Sequence, residues 1–301
     1  MGRGDDAAVW EVTRPARPGV VAGVTIAGFR RGASGAEHRL VPHAVVTLSV
    51  DFGAEPVIVD DATGVRRRGS LAVGLGFGGA VWVRGANIEC VHVRLSPLAA
   101  RAVLGFDPAD LAGGIVALDD LWGRDAARLG ERLSATAAWQ DRFAVIGGWL
   151  ARRHEAGAPV EPEVAWAWRR MVAGRGQVRV DRLAAELGWS RKRLWSRFHA
   201  QIGLPPKRAA KLVRFDHAAH RLAEGQDPAR VAAESGYTDQ SHLHRDIAAL
   251  AGTTPAALAR ESREATAALT TPGQEGTLLA PAWAMCTPGP GAAAVRGGTP
   301  R

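Results

Sequence analysis

Between residues 190 and 214 the chain carries eight cations, Arg191, Lys192, Arg193, Arg197, Lys207, Arg208, Lys211 and Arg214, and no carboxylate. A run of charge is often just a solvated face. Guanidinium and ammonium groups at this density also neutralise phosphates and release counterions. The surplus is local: residues 175–260 hold fifteen Lys/Arg against eight Asp/Glu, in a chain of formal net charge +8. A concentrated basic stretch of this kind fits nucleic acid as partner.

Other residue types that do chemistry are sparse. His38 and His43 flank Arg39-Leu-Val-Pro, His92 lies near Glu89 on a strand, and a β-barrel can bind a metal through histidines and a carboxylate. His38 and His43 are too far apart in sequence for a tight ligand pair, so no metal and no cofactor are expected. Cys90 could accept an alkyl group if its pKa were lowered. The alternation Ile88, Cys90, His92 instead reads as one face of a buried strand. With Cys286 the only other cysteine, there is neither a disulfide framework nor a cysteine zinc site. Trp10, Trp82 and Trp122 either line an effector pocket or fill the core. No phosphate loop or catalytic triad is visible, and no catalytic residue is assigned.

The elements that must position the cations are written twice. Leu183-Ala-Ala-Glu-Leu-Gly-Trp-Ser190 returns forty-eight residues later as Val231-Ala-Ala-Glu-Ser-Gly-Tyr-Thr238. With one extra residue in the second copy, Leu194 then matches Leu243, Phe198 matches Ile247, and Gly203-x-x-Pro206 matches Gly252-x-x-Pro255. Each copy reads as an apolar helix, a Gly-aromatic turn, a capping residue (Ser190 or Thr238) and a second helix, which is a helix-turn-helix. Leu194 and Phe198 point inward, leaving Lys192, Trp195, Ser196 and His199 outward. In the second copy Leu243 and Ile247 point inward, leaving Ser241, His242 and Arg245 outward. Asp227-Pro228 opens the second unit, since proline loses nothing at the first helical position.

Between the copies, Pro206 to Ala223 reads as a helix about 27 Å long at 1.5 Å per residue. Such a rod suits two recognition helices entering successive major-groove segments about 34 Å apart. Lys207, Arg208 and Lys211 open the rod beside the first recognition helix. With Arg191 and Arg193 they are the expected phosphate contacts.

The fold class read from the whole chain is α+β. Val/Ile-rich segments at 20–29, 44–50, 56–60, 80–83 and 88–95 imply a barrel-like or sandwich β domain. The expected division is a β-rich sensing domain over 1–118, a helical linker over 119–174, the double helix-turn-helix over 175–262 and a disordered tail over 263–301. The linker helices either pack on the β domain or carry a homodimer interface. Without an apolar signal core or an eighteen-residue apolar run, the chain is expected to be cytoplasmic.

Residues 177–260 resemble the DNA-binding domain of the AraC/XylS family of bacterial transcription regulators. The residues that carry the likeness are Leu183-Ala-x-x-Leu-Gly-Trp-Ser190, Arg197-Phe198, Gly203-x-x-Pro206, Arg214-Phe215-x-x-Ala218, Gly236-Tyr237-x-Asp239-Gln240-Ser241-His242 and Gly252-x-Thr254-Pro255. Residues 1–118 resemble, more weakly, the cupin-like effector domains of such regulators. The resemblance implies base contacts from Lys192, Trp195 and Ser196 in the first copy and from Ser241, His242 and Arg245 in the second. It implies double-stranded DNA as partner, a small-molecule effector, and RNA polymerase where the protein is an activator. The rival class is a DNA-targeted enzyme or repair protein using Cys90. The chain departs from the family at Asp246, Ala248 and Ala249, where bulky or basic residues are usual. That leaves the second copy fewer phosphate partners.

Overall fold

The computed structural model describes residues 11–267, apart from 18, 20, 33–37, 62, 77, 79–80 and 112–113. Trp10 and Cys286 lie outside the described residues, as does the expected tail from 268 onward. The fold is α+β. Two antiparallel sheets face each other. The larger contains β1 (Glu11–Thr13), β2 (Val24–Arg31), β4 (Val46–Asp51), β7 (Leu71–Val73), β9 (Ile88–Leu95) and β10 (Ile115–Ala117), in the order β1-β2-β9-β4-β7-β10. The smaller contains β3 (His38–Leu40), β5 (Ile58–Asp60), β6 (Arg66–Arg68) and β8 (Val81–Arg84), in the order β3-β8-β5-β6.

Strand β9 is central and shows why the unit has two cores. It pairs with β2 from Val24↔Leu95 to Arg31↔Ile88 and with β4 from Val46↔Leu95 to Asp51↔Cys90. Successive side chains alternate faces. Ile88 and Cys90 join Phe29, Val57, Val59, Leu71 and Val81 between the sheets. Val91, Val93 and Leu95 face a layer of helices on the other side.

That layer comprises α1 (Pro97–Leu104), a 3-10 turn (Pro108–Leu111), α2 (Leu118–Trp122), α3 (Arg124–Ser134), α4 (Trp139–Ala156) and α5 (Pro162–Ala173). Ser96 caps α1 by accepting from the Ala99 N–H at 3.3 Å, and Pro97 takes the first helical position. Leu104, Leu129, Leu133, Ile146 and Leu150 press on the sheet. The helices over 119–174, expected as a linker, therefore cover the β unit.

The same apolar core runs on through Trp168 of α5 into Phe198 and Phe215 of the C-terminal helices. These are α6 (Val180–Glu186), α7 (Arg191–Ile202), α8 (Pro206–Ala223), α9 (Pro228–Glu234), α10 (Gln240–Ala251) and α11 (Pro255–Ala267). Helix α11 passes the boundary expected at 262. Ala-Leu-Ala-Arg-Glu-Ser-Arg-Glu-Ala favours helix, and no glycine or proline interrupts it before Pro272. No helix among the described residues is long and apolar enough to cross a membrane.

Candidate nucleic-acid interface

The first helix pair, α6 and α7, turns at Gly188, whose φ of 64° a side chain would strain. Ser190 caps α7 by accepting from the Arg193 N–H at 3.1 Å. Leu194 and Phe198 are fully buried, which fixes the rotation of α7 and leaves Lys192, Trp195 and Ser196 exposed. Trp195 is 51% exposed, a rarity for tryptophan in a folded chain, and stacks on His199 with centroids 5.0 Å apart. A flat apolar ring held in the open on a recognition helix suits contact with a thymine methyl or a sugar. Arg193 lies over the Trp189 ring at 4.5 Å, which steadies its guanidinium.

The second pair, α9 and α10, repeats this with one difference. Asp227 caps α9 by accepting from the N–H groups of Ala229 and Arg230. Gly236 turns the chain at φ 74°. The cap of α10 is Asp239 rather than the expected Thr238, its carboxylate accepting from the His242 N–H at 2.7 Å. The extra residue in this copy moves the helix start by one position, and a carboxylate suits the positive end of the helix dipole. Ser241 and Arg245 are exposed as expected. His242 is only half-buried, its ring edge-on to Tyr237 at 5.2 Å.

The cations divide into two sets. Arg191, Lys192, Arg193, Lys207 and Arg208 are exposed and form no ion pair among the described residues. Arg197, Lys211 and Arg214 are held internally. Arg197 pairs with Glu161. Lys211 lies 2.9 Å and Arg214 3.4 Å from the carboxylate of Asp246, which is 5% exposed on α10. Lys211, expected on phosphate, is thus engaged by a buried acid, and the expected departure at Asp246 becomes a cross-brace between α10 and α8. The alternation of sequence around Asp246 held no sign of it.

Two further contacts escaped the sequence reading. Arg39 of β3 donates to the Ala251 and Gly252 carbonyls at 3.2 and 2.6 Å, at the C-terminal end of α10. It also pairs with Glu261 at 3.3 Å and stacks on Trp82 at 4.6 Å. His43, weighed as a metal ligand, meets Asp216 of α8 at 2.6 Å. The β unit therefore touches both the rod and the second recognition helix. The first is seated differently: α7 packs on α1, α5 and the 3-10 turn, and Gln201 accepts from the Glu161 N–H at 2.7 Å.

The remaining candidates resolve as follows. His92 meets the Phe29 ring at a tilt between the sheets, centroids 4.5 Å apart, where burial and then the charge of Arg94 lower its pKa to about 4. Among the described residues no cluster of three or more His, Cys, Asp or Glu could hold a metal ion. Cys90 is 2% exposed, and burial followed by the nearby Asp51 charge pushes its thiol up to about 12. An alkyl acceptor needs the opposite, an accessible thiolate. Trp122 fills the core, its indole donating to the Leu104 carbonyl at 3.1 Å, while Trp82 lies where the β unit meets α10.

Residues 183–261 match the family described as helix-turn-helix domain. No curated protein matches the chain in sequence. Among solved structures, ToxT from Vibrio cholerae is similar over 79% of this chain and 98% of its own, at 11% identity and a TM-score of 0.48. ToxT has also been solved with an unsaturated fatty acid bound. The C-terminal domain of AraT, a response regulator from Geobacillus stearothermophilus, aligns over 34% of this chain and 88% of its own, at 18% identity and a TM-score of 0.33. The AraC-like transcriptional activator CuxR aligns over 78% and 90%, at 14% identity and a TM-score of 0.28.

Proposed function

From the premise that residues 183–261 are an AraC-type helix-turn-helix domain, we propose that this protein is a sequence-specific DNA-binding transcription regulator. The observation that carries the reading is the pair of capped recognition helices. Their outward positions hold Lys192, Trp195, Ser196, Ser241 and Arg245, flanked by exposed cations. Arg245 can meet guanine O6 and N7 with both ends of its fork, and Lys192 offers a point donor. His242 contributes from its half-buried position. Arg191, Arg193, Lys207 and Arg208 neutralise phosphates and set register.

The β unit is the sensing half of this reading. Between its sheets lies a buried apolar core that includes Val12, Phe29, Val59, Val73 and Ile115, and the effector assigned to this unit is a small molecule. Arg39 and His43 connect that unit to α10 and α8, so a ligand that prefers one arrangement of the strands biases the recognition helices with it. Activation through RNA polymerase, homodimer formation and a cytoplasmic location, where bacterial promoters lie, belong to the same reading.

Selection of bound duplexes from a random-sequence library by the full-length protein tests it. The expected product is a two-part motif spaced by about one helical turn. Recovery of unenriched sequence, with binding that tracks salt alone, would overturn sequence-specific recognition.

A further inference from the structure

The carboxylate of Asp246 is almost fully enclosed, yet it stands on a recognition helix, where a negative charge works against DNA. Its surroundings say what it does there. Lys211 Nζ is 2.9 Å from Oδ1, and Arg214 Nη2 is 3.4 Å from Oδ2. His242 Nε2 lies 4.0 Å from Oδ2, one turn back on the same helix. The Arg214 guanidinium is sandwiched further by the Tyr237 ring at 4.6 Å, and Tyr237 is itself 5% exposed. One acid therefore gathers two cations from the rod onto α10, while the side chain of Lys211 keeps 39% of its surface open to solvent.

A lysine that exposed, lying between two recognition helices, would find phosphate if nothing held it. Phosphate contacts strengthen binding to every sequence alike, whereas discrimination comes from base edges. Holding cations back therefore lowers background affinity without touching the base contacts. The same brace fixes the rotation of α10 on α8, and with it the direction in which Ser241 and Arg245 point.

We propose that Asp246 is a specificity-determining residue: it withholds Lys211 and Arg214 from the DNA backbone and locks the second recognition helix to the rod. The proposal rests on the DNA-binding reading above and deepens it. Asp246 touches no base; it acts through the cations and the helix it holds.

The test uses the full-length protein and labelled duplexes, one carrying the selected motif and one scrambled, titrated by anisotropy at several salt concentrations. Wild-type protein that binds neither duplex would defeat the DNA-binding reading itself, before the present proposal is reached. Given binding, Asp246→Asn is expected to steepen the dependence of log affinity on log salt by about one to two units, since each phosphate neutralised adds about 0.9. Affinity for scrambled DNA at low salt should rise several-fold, and the ratio of motif to scrambled affinity should fall. Adding Lys211→Gln to Asp246→Asn should remove about one unit of that gain. In the wild-type background the same change should alter the slope by less. Asp246→Leu, which fills the enclosed site with an apolar side chain, releases the same cations and serves where the asparagine variant does not fold. An unchanged slope and ratio in folded variants would overturn the proposal. So would equal weakening on both duplexes, or failure of both variants to fold, because Asp246 would then serve structure alone.

Discussion

Replacement of Arg39 by alanine probes how the β unit governs α10. In the wild type the Arg39 fork reaches two carbonyls at the end of α10, at 3.2 Å to Ala251 and 2.6 Å to Gly252, from a side chain only 13% exposed. Hydrogen bonds from a charged donor contribute about 1.5–3 kcal/mol each, and stacking over Trp82 adds about 0.5–1 kcal/mol. The Gly252 bond is open to solvent, and truncation frees about 2 kcal/mol of side-chain order, so the net loss should be about 2–3 kcal/mol. Because those carbonyls close the last turn of α10, the loss should fall locally. Amide hydrogen exchange in the C-terminal turns of α10 is expected to speed up by about 30- to 150-fold, with α7 unaffected. If the whole chain unfolds with that loss, the melting temperature drops by about 4–12 °C. Arg39→Lys, which keeps charge but loses the fork, should fall between the two. Exchange in α10 indistinguishable from wild type in Arg39→Ala would refute the idea that this arginine moors the second recognition helix.

Arg245→Ala should relax preference at one base position and cost about 1–3 kcal/mol on the selected motif; equal weakening on scrambled DNA would show that it does not read bases. Lys207→Ala or Arg208→Ala, at exposed positions opening α8, should weaken binding to all sequences and flatten the salt slope by about one unit, measured by anisotropy. His92 has a pKa of about 4 in the fold against an ordinary value of 6.5, so the unfolded chain binds one more proton between those values. Its contribution is complete above pH 6.5 and is lost as pH falls through 4, about 3 kcal/mol in all. His92→Phe, which can keep the ring contact with Phe29, should abolish that part of the acid sensitivity in melts from pH 7 to 4. An unaltered pH profile would assign the sensitivity elsewhere.

Periodic apolar residues and breakers made the C-terminal elements legible. The limits of α8 and of strand β9 coincide with those read from the sequence, because Pro206 and the 3.6-residue stripe of Leu212, Phe215, Ala219 and Leu222 admit one helix, and β9 is a Val/Ile-rich run that ends before Pro97. The exposed positions on both recognition helices follow from Leu194, Phe198, Leu243 and Ile247 being buried. The three-residue strands β1, β3, β6 and β10 carry too little pattern to be read alone. Strand β6 is Arg66-Arg67-Arg68, an edge strand whose charges discourage further pairing. The polar joints were invisible for another reason. Arg39 and Ala251 are 212 positions apart, and an ion pair such as Lys211 with Asp246 depends on how two helices cross, which no local spacing records.

The two recognition helices are mounted unlike one another. Helix α7 packs on α1, α5 and the 3-10 turn, whereas α10 packs on α8, α9 and α11 through Leu243, Ile247 and Ala251 and meets the β unit through the Arg39 fork. Adding or removing one base pair between half-sites shifts them by ~3.4 Å and rotates them by ~35°. A reader seated in hydrocarbon has no compliance for such a change, because close-packed interiors resist deformation. Helix α10 is close-packed as well, with Leu243, Ile247 and Ala251 fully buried and Asp246 braced on the rod, so the two readers keep one separation and one phase. Phasing errors in an operator therefore fall on the DNA, which must twist or bend to bring both half-sites to their helices, and natural sites for this protein would keep one spacing.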